Sequence, residues 1–274
     1  SAVVTQLRKI VELQAEGPHR EESHFRLANY AFNAENYSEA ITNYQSILKL
    51  PHSPLYRAAL YKLAWSYYLH GEAEKAIQLL VKQEIDLADP EEGAGPCVIM
   101  RTSQEHREPF RLLAYALKTL GNPGHLIRLV NERPALESFP FVTKVANYYE
   151  SKKRIREMFE LVSSWVASHP LYAETPFLHE KMVSYVKQSV QFSIEDVLEA
   201  RNTYVRTYSP GSAWAAENRS EIADKVKPLL KNHLQFLMTY YYAEGKKTGK
   251  ISDYALALPW YQRYLSLFSA DEDT

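Results

Sequence analysis

The sequence predicts an all-α chain, an α-solenoid of antiparallel helix pairs. Three observations lead there. Residues 25–32 and 36–44 can be laid on residues 61–68 and 72–80 at a single offset of 36. Leu27 then falls on Leu63, Ala28 on Ala64, Ala40 on Ala76 and Ile41 on Ile77. Within each stretch the apolar residues recur at spacings of three and four, which stay on one helical face. Only 9 of the 274 residues are glycine, which speaks against a β-rich or phosphate-loop protein. A unit this short cannot bury its apolar face alone, so self-similarity at this period means stacked units.

Each element follows from the same reading. In the first helix of a unit a large residue precedes Leu-Ala, and an aromatic or aliphatic residue follows. The second helix carries Ala and then Tyr or Leu four residues on. The small alanines let two backbones approach, and their large neighbours fill the gaps. Polar turns at Asn33-Ala34-Glu35-Asn36 and His70-Gly71-Glu72 join the helices. Pro51, Pro54 and Pro109 fall near helix boundaries, where a missing N–H does no harm. Residues 21–85 hold the two well-formed repeats, and 86–104 read as an inserted loop ending in the apolar run Cys97-Val98-Ile99-Met100. Residues 105–211 read as degenerate repeats. Their third unit has a short second helix interrupted by Pro134, the fourth runs to Pro170, and the fifth carries Ala200 and Tyr204 in its second helix. Residues 212–274 read as longer C-terminal helices with a turn at Gly245-Lys246-Lys247-Thr248-Gly249-Lys250. Pro228 and Pro259 either kink a helix or mark a first turn. Five to six irregular repeats are expected in one solenoid over 1–274.

The set Leu27-Ala28, Tyr37, Ala40, Tyr44, Pro51, with Leu63-Ala64, Tyr67, Gly71, Ala76, Leu80, resembles the tetratricopeptide repeat. Ala28 and Ala64 stand where that family usually has Gly, and Pro51 comes one residue early. The resemblance implies a right-handed superhelix whose first helices line a concave groove for an extended peptide or a partner helix. Carried over by position, the groove would be lined by Phe25, Arg26, Asn29, Phe32 and Asn33 in the first unit. Tyr61, Lys62, Trp65 and Tyr68 follow in the second, Arg111, Tyr115 and Lys118 in the third, and Lys144 and Asn147, with Glu150, in the fourth. Aromatics and arginine dominate binding hot spots. Tyr44, Tyr67 and Tyr37 match packing positions of the repeat instead. Members that grip a C-terminal carboxylate use Lys or Arg and Asn at set groove positions. Asn29 matches one such place, and Phe25 and Lys62 depart from two others, which speaks against a carboxylate clamp and leaves an acidic or aromatic peptide.

Composition narrows the function further. Lys and Arg number 32 and Asp and Glu 33, a net charge of −1. A nucleic-acid binder usually shows a basic excess, so no nucleic-acid partner is expected. A single cysteine, Cys97, excludes an internal disulfide and thiolate zinc sites. No apolar run approaches the ~20 residues of a membrane span. His52, His70, His125 and His169 fall at turns or helix ends, where histidine is ordinary. No nucleophile elbow, zinc motif or calcium loop is present. No catalytic residue, metal or cofactor is expected.

The function expected is a non-catalytic scaffold that binds a protein or peptide partner and assists assembly of a multiprotein complex. The alternative is a recognition or regulatory module of a larger enzyme or sensor. RNA reading by helical repeats is the third reading, set back by the neutral charge. The chain begins at Ser1 and ends soon after an amphipathic helix, which reads as a fragment of a longer protein. Residues 61–68 and 259–265 resemble tetratricopeptide proteins of bacterial cell-envelope machines, which points to a periplasmic or envelope location over the cytoplasm.

Overall fold

Short polar turns cut the chain into helices, and the turns themselves repeat. In a computed structural model describing residues 2–13, 17–86, 107–132, 134–188 and 190–268, no strand is present among the described residues. The helices are α1 (Ala2–Leu13), α2 (Pro18–Asn33), α3 (Tyr37–Leu48), α4 (Tyr56–Leu69), α5 (Ala73–Asp86), α6 (Arg107–Thr119), α7 (His125–Val130) and α8 (Ala135–Ser151). They continue as α9 (Ile155–Ser168), α10 (Thr175–Gln188), α11 (Ile194–Tyr208), α12 (Ala213–Glu217), α13 (Ser220–Thr248), α14 (Ile251–Ala255) and α15 (Leu258–Phe268). The chain divides into two compact units, Ser1–Tyr148 and Tyr149–Thr274.

The first unit packs as consecutive antiparallel pairs. After α2 the chain turns through Glu35 at φ 59°, with Glu35 N–H on Phe32 C=O and Asn36 N–H on Ala31 C=O. After α4 the same bonds recur 36 residues later, Gly71 N–H to Tyr68 C=O and Glu72 N–H to Tyr67 C=O, with Gly71 at φ 89°. Gly121, at φ 74°, follows α6 with its N–H on Lys118 C=O. These left-handed residues satisfy carbonyls that a helix end would otherwise leave unpaired. Asn36 then caps α3 by accepting the Glu39 N–H. Ala28 and Ala40 are fully buried where α2 meets α3, and Ala64 and Ala76 where α4 meets α5. Tyr44, Ile47, Leu63, Ile77 and Leu80 fill the space around those close approaches. α7 is only six residues long and ends four residues before Pro134.

The second unit keeps the pairing and lengthens its last helices. Lys153, at φ 55°, makes the same turn after α8, with Lys153 N–H on Glu150 C=O and Arg154 N–H on Tyr149 C=O. Trp165 of α9 is fully buried and donates from Nε1 to Thr175 Oγ1 at 3.1 Å, which ties α9 to α10. Ser193 and Asp196 form a reciprocal capping box at the start of α11. Trp214 of α12 is buried and donates to Tyr172 C=O at 3.1 Å. Val226, Leu230, Leu234 and Leu237 form the buried stripe of α13.

Two sequence expectations need correction or placement here. Residues 245–250 do not form a turn: α13 runs through Gly245 to Thr248, and only Gly249, at φ 68°, closes it. Gly245 is glycine for a different reason, since a Cβ there would lie 2.9 Å from the Tyr254 backbone nitrogen. Pro259 is the second residue of α15 and marks a first turn, whereas Pro228 stands inside α13. The expected loop over 86–104, apart from Asp86 at the end of α5, lies outside the described residues, and so does Cys97.

Candidate functional site

The residues singled out on α2, α4 and α6 meet in the first unit. Burial separates them from the core faces of the same helices. On α4, Leu63, Ala64 and Tyr67 are buried, whereas Tyr61, Lys62, Trp65 and Tyr68 are half-buried. This is the split that offsets of three and four impose on one helix. Lys62 of α4 sets its ammonium 5.0 Å from the ring centroid of Phe32 on α2. Trp65 meets Tyr68 edge-on at 6.0 Å, and Tyr68 stacks on Tyr115 of α6 at 6.5 Å. The Arg111 guanidinium lies 5.9 Å from the Trp65 ring and bonds Glu108 at 2.6 Å. The Tyr61 hydroxyl reaches Glu108 Oε2 at 3.4 Å, and burial beside that carboxylate raises the Tyr61 pKa. The result is a strip of half-exposed rings interleaved with cations across three helices.

Other positions take different roles. Asn29 is half-buried, and its Oδ1 accepts the Tyr44 hydroxyl at 2.7 Å, so that atom joins α2 to α3. Phe25 meets Tyr44 edge-on at 5.9 Å, and Phe32 meets Tyr37 at 5.7 Å. Tyr44 and Tyr67 are buried and Tyr37 is half-buried, in line with their packing positions. Arg26 is exposed and paired with Glu22 one turn earlier, and Asn33 is exposed at the end of α2. Lys118 is exposed on α6, as are Lys144 and Asn147 on α8. Phe110 stacks on Tyr148 at 6.3 Å, which sets α8 beside α6. Glu150 accepts from Tyr185 and pairs with Lys181, which holds its carboxyl below the ordinary range against the opposing effect of burial.

Sequence reasoning missed Glu108, which stands one turn before Arg111 and was legible as an i,i+3 pair. It also missed a buried polar cluster in the second unit. Arg201 Nη1 lies 2.9 Å from His233 Nδ1, and His233 Nε2 lies 2.5 Å from Glu180 Oε2. A guanidinium only donates, so Nδ1 accepts and Nε2–H donates to Glu180. Burial would raise the Glu180 pKa, but the bonds from His233 and Ser184 and the charge of Arg201 outweigh it and lower it. His179 is buried against Tyr204 and bonds the Tyr208 hydroxyl at 3.1 Å. Burial pushes its pKa down to about 4. The signal was an ionisable residue on an apolar stripe: Arg201 between Val197 and Val205, His233 beside Leu230 and Leu237. Among the described residues no group of three His, Cys, Asp or Glu could hold a metal ion. No described helix is long and apolar enough to cross a membrane.

Two of the strip's three helices, α2 and α4, carry the internal repeat, and residues 25–91 match the tetratricopeptide repeat family. Over that stretch the chain is similar to tetratricopeptide repeats. Tetratricopeptide repeats are a protein-interaction fold, generally without catalysis of their own. No curated protein matches the chain. A solved structure of the TPR2AB domain of yeast Sti1 in complex with an Hsp90 peptide is 15% identical, over 92% of this chain and 99% of that one. Its TM-score is 0.30.

Proposed function

We propose that the α2–α4–α6 face of the first unit binds an extended peptide or a helix of a protein partner, and that the chain is a non-catalytic scaffold in a multiprotein complex. The observation that carries this reading is the continuous strip formed by Phe32, Lys62, Trp65, Tyr68, Tyr115 and Arg111. These rings are already held by one another, so little side-chain entropy is lost when a partner covers them. Tyr and Trp offer large apolar area with a polar tip that fixes orientation. Lys62 and Lys118 carry no ion pair among the described residues, whereas Arg111 is bonded to Glu108. The face therefore favours a partner segment that brings aromatic or apolar side chains together with carboxylates.

The test is affinity capture with the immobilised chain, followed by calorimetry on the recovered partner. Trp65→Ala or Tyr61→Ala should weaken that partner at least tenfold, with the helical circular dichroism unchanged. Equal recovery by wild type and both variants would sink the proposal.

A further inference from the structure

A second surface feature of the first unit is separate from the strip. A cleft of about 680 Å³ opens between the first turns of α2 and the loop from α3 to α4. That volume lies within the roughly 300–1,000 Å³ of ordinary ligand sites. Its apolar walls are Phe25, Pro51, Pro54 and Leu55, and Glu21 stands among them. The Ser53 hydroxyl donates to Glu21 Oε2 at 2.5 Å, and the Ser53 oxygen accepts the Leu55 N–H at 3.2 Å. The loop therefore holds the carboxylate in place.

The charges in the cleft do not cancel. Glu22 and Arg26 form a pair at 2.6 Å and neutralise each other. Glu21 has no cation paired with it among the described residues. The N-terminus of α2 offers roughly half a positive charge, less than one carboxylate carries. A fixed negative charge thus stands beside an aromatic ring and two prolines.

We propose that this cleft seats a lysine or arginine side chain of a protein partner, with its charge on Glu21 and its methylenes on Phe25, Pro51 and Pro54. Long cationic side chains bury their stems on apolar surface and keep their heads at a polar rim. The Phe25 ring adds a face that attracts a cation. An acidic residue would meet charge of its own sign. A purely aliphatic residue would strip water from Glu21 and return no bond, a net cost.

The experiment titrates the ¹⁵N-labelled chain with N-acetyl-lysine N-methylamide, following the backbone amides of Glu21, Phe25 and Leu55. The norleucine and glutamate analogues serve as controls. The lysine probe should give saturable shifts at those three amides, with a dissociation constant at least tenfold higher for Glu21→Gln. Glutamine can still accept the Ser53 hydroxyl, and an unchanged melting temperature confirms that the cleft is intact. Equal response to norleucine, stronger response to glutamate, no saturable shift with lysine, or an unaltered Glu21→Gln titration each overturns the proposal. Trp65→Ala should leave the lysine titration unchanged, so failure of the strip and failure of the cleft are read separately.

Discussion

Tyr68 and Tyr115 stack with their ring centroids 6.5 Å apart and their planes 26° from parallel, so two neighbouring repeats share one aromatic surface. Tyr115 is 42% exposed. Tyr115→Ala should cost under about 1.5 kcal/mol of stability, the worth of one aromatic pair. Its effect on partner binding should be larger, about 2 kcal/mol or roughly thirtyfold in dissociation constant, as for a hot-spot ring. Parallel thermal melts and titration calorimetry check the split.

The repeated turn gives a stability test that can go either way. Glu35 and Lys153 hold the left-handed conformation without being glycine. That conformation costs a side-chain-bearing residue roughly 1–2 kcal/mol. Glycine relieves it but gives back up to about 1 kcal/mol of unfolded-chain entropy. Glu35→Gly and Lys153→Gly should each stabilise by about 0.5–1 kcal/mol. Gly71→Ala, at φ 89°, should destabilise by at least about 1 kcal/mol. Urea midpoints measured at constant m-value decide the signs.

Gly245→Ala sets propensity against sterics. Alanine gains about 1 kcal/mol in a helix interior. Its Cβ would sit 2.9 Å from the Tyr254 nitrogen, a backbone atom that cannot swing away. Overpacking of this kind costs about 1–3 kcal/mol, so a net loss of up to about 2 kcal/mol is expected. A lowered melting temperature, with hydrogen-exchange protection lost first in α13 and α14, would bear this out.

The second unit should weaken in mild acid. His179 has an ordinary value of 6.5 and a folded value near 4, so between those limits the unfolded chain binds the extra proton. Stability is full above pH 6.5 and falls as pH drops towards 4, by up to ~3 kcal/mol. Glu180, lowered in the fold, adds a loss of the same sign below its ordinary value of 4.5. His179→Phe should be less stable at pH 8, since Tyr208 loses its partner, and its stability should be flatter from pH 6.5 to 4.5. Chemical denaturation across that range would expose an error as an unchanged slope.

Much of the strip was legible because one period governs both packing and exposure. Leu63, Ala64 and Tyr67 could be assigned to the core, and Tyr61, Trp65 and Tyr68 to the other face, from position on a helix alone. Asn29 shares the groove spacing, yet its side-chain oxygen bonds Tyr44, because hydrogen-bond partners across a hairpin depend on how two helices are rotated about their axes. Gly245 read as a turn residue since glycine and lysine mark breaks locally. Only the approach of Tyr254, nine residues away and folded back, shows that the glycine admits a neighbouring backbone.

By itself the sequence determined the paired helices and polar turns of residues 25–80, because helix periodicity and small residues at close approaches are properties of short segments. Tertiary structure decided which rings touch between helices, as Tyr68 and Tyr115 do, and that Arg201, His233 and Glu180 converge from three helices. Those contacts join residues tens of positions apart, and no local period encodes them. The cleft at Glu21 belongs to the same class: it exists only where the start of α2 faces a loop that the chain reaches a full helix later.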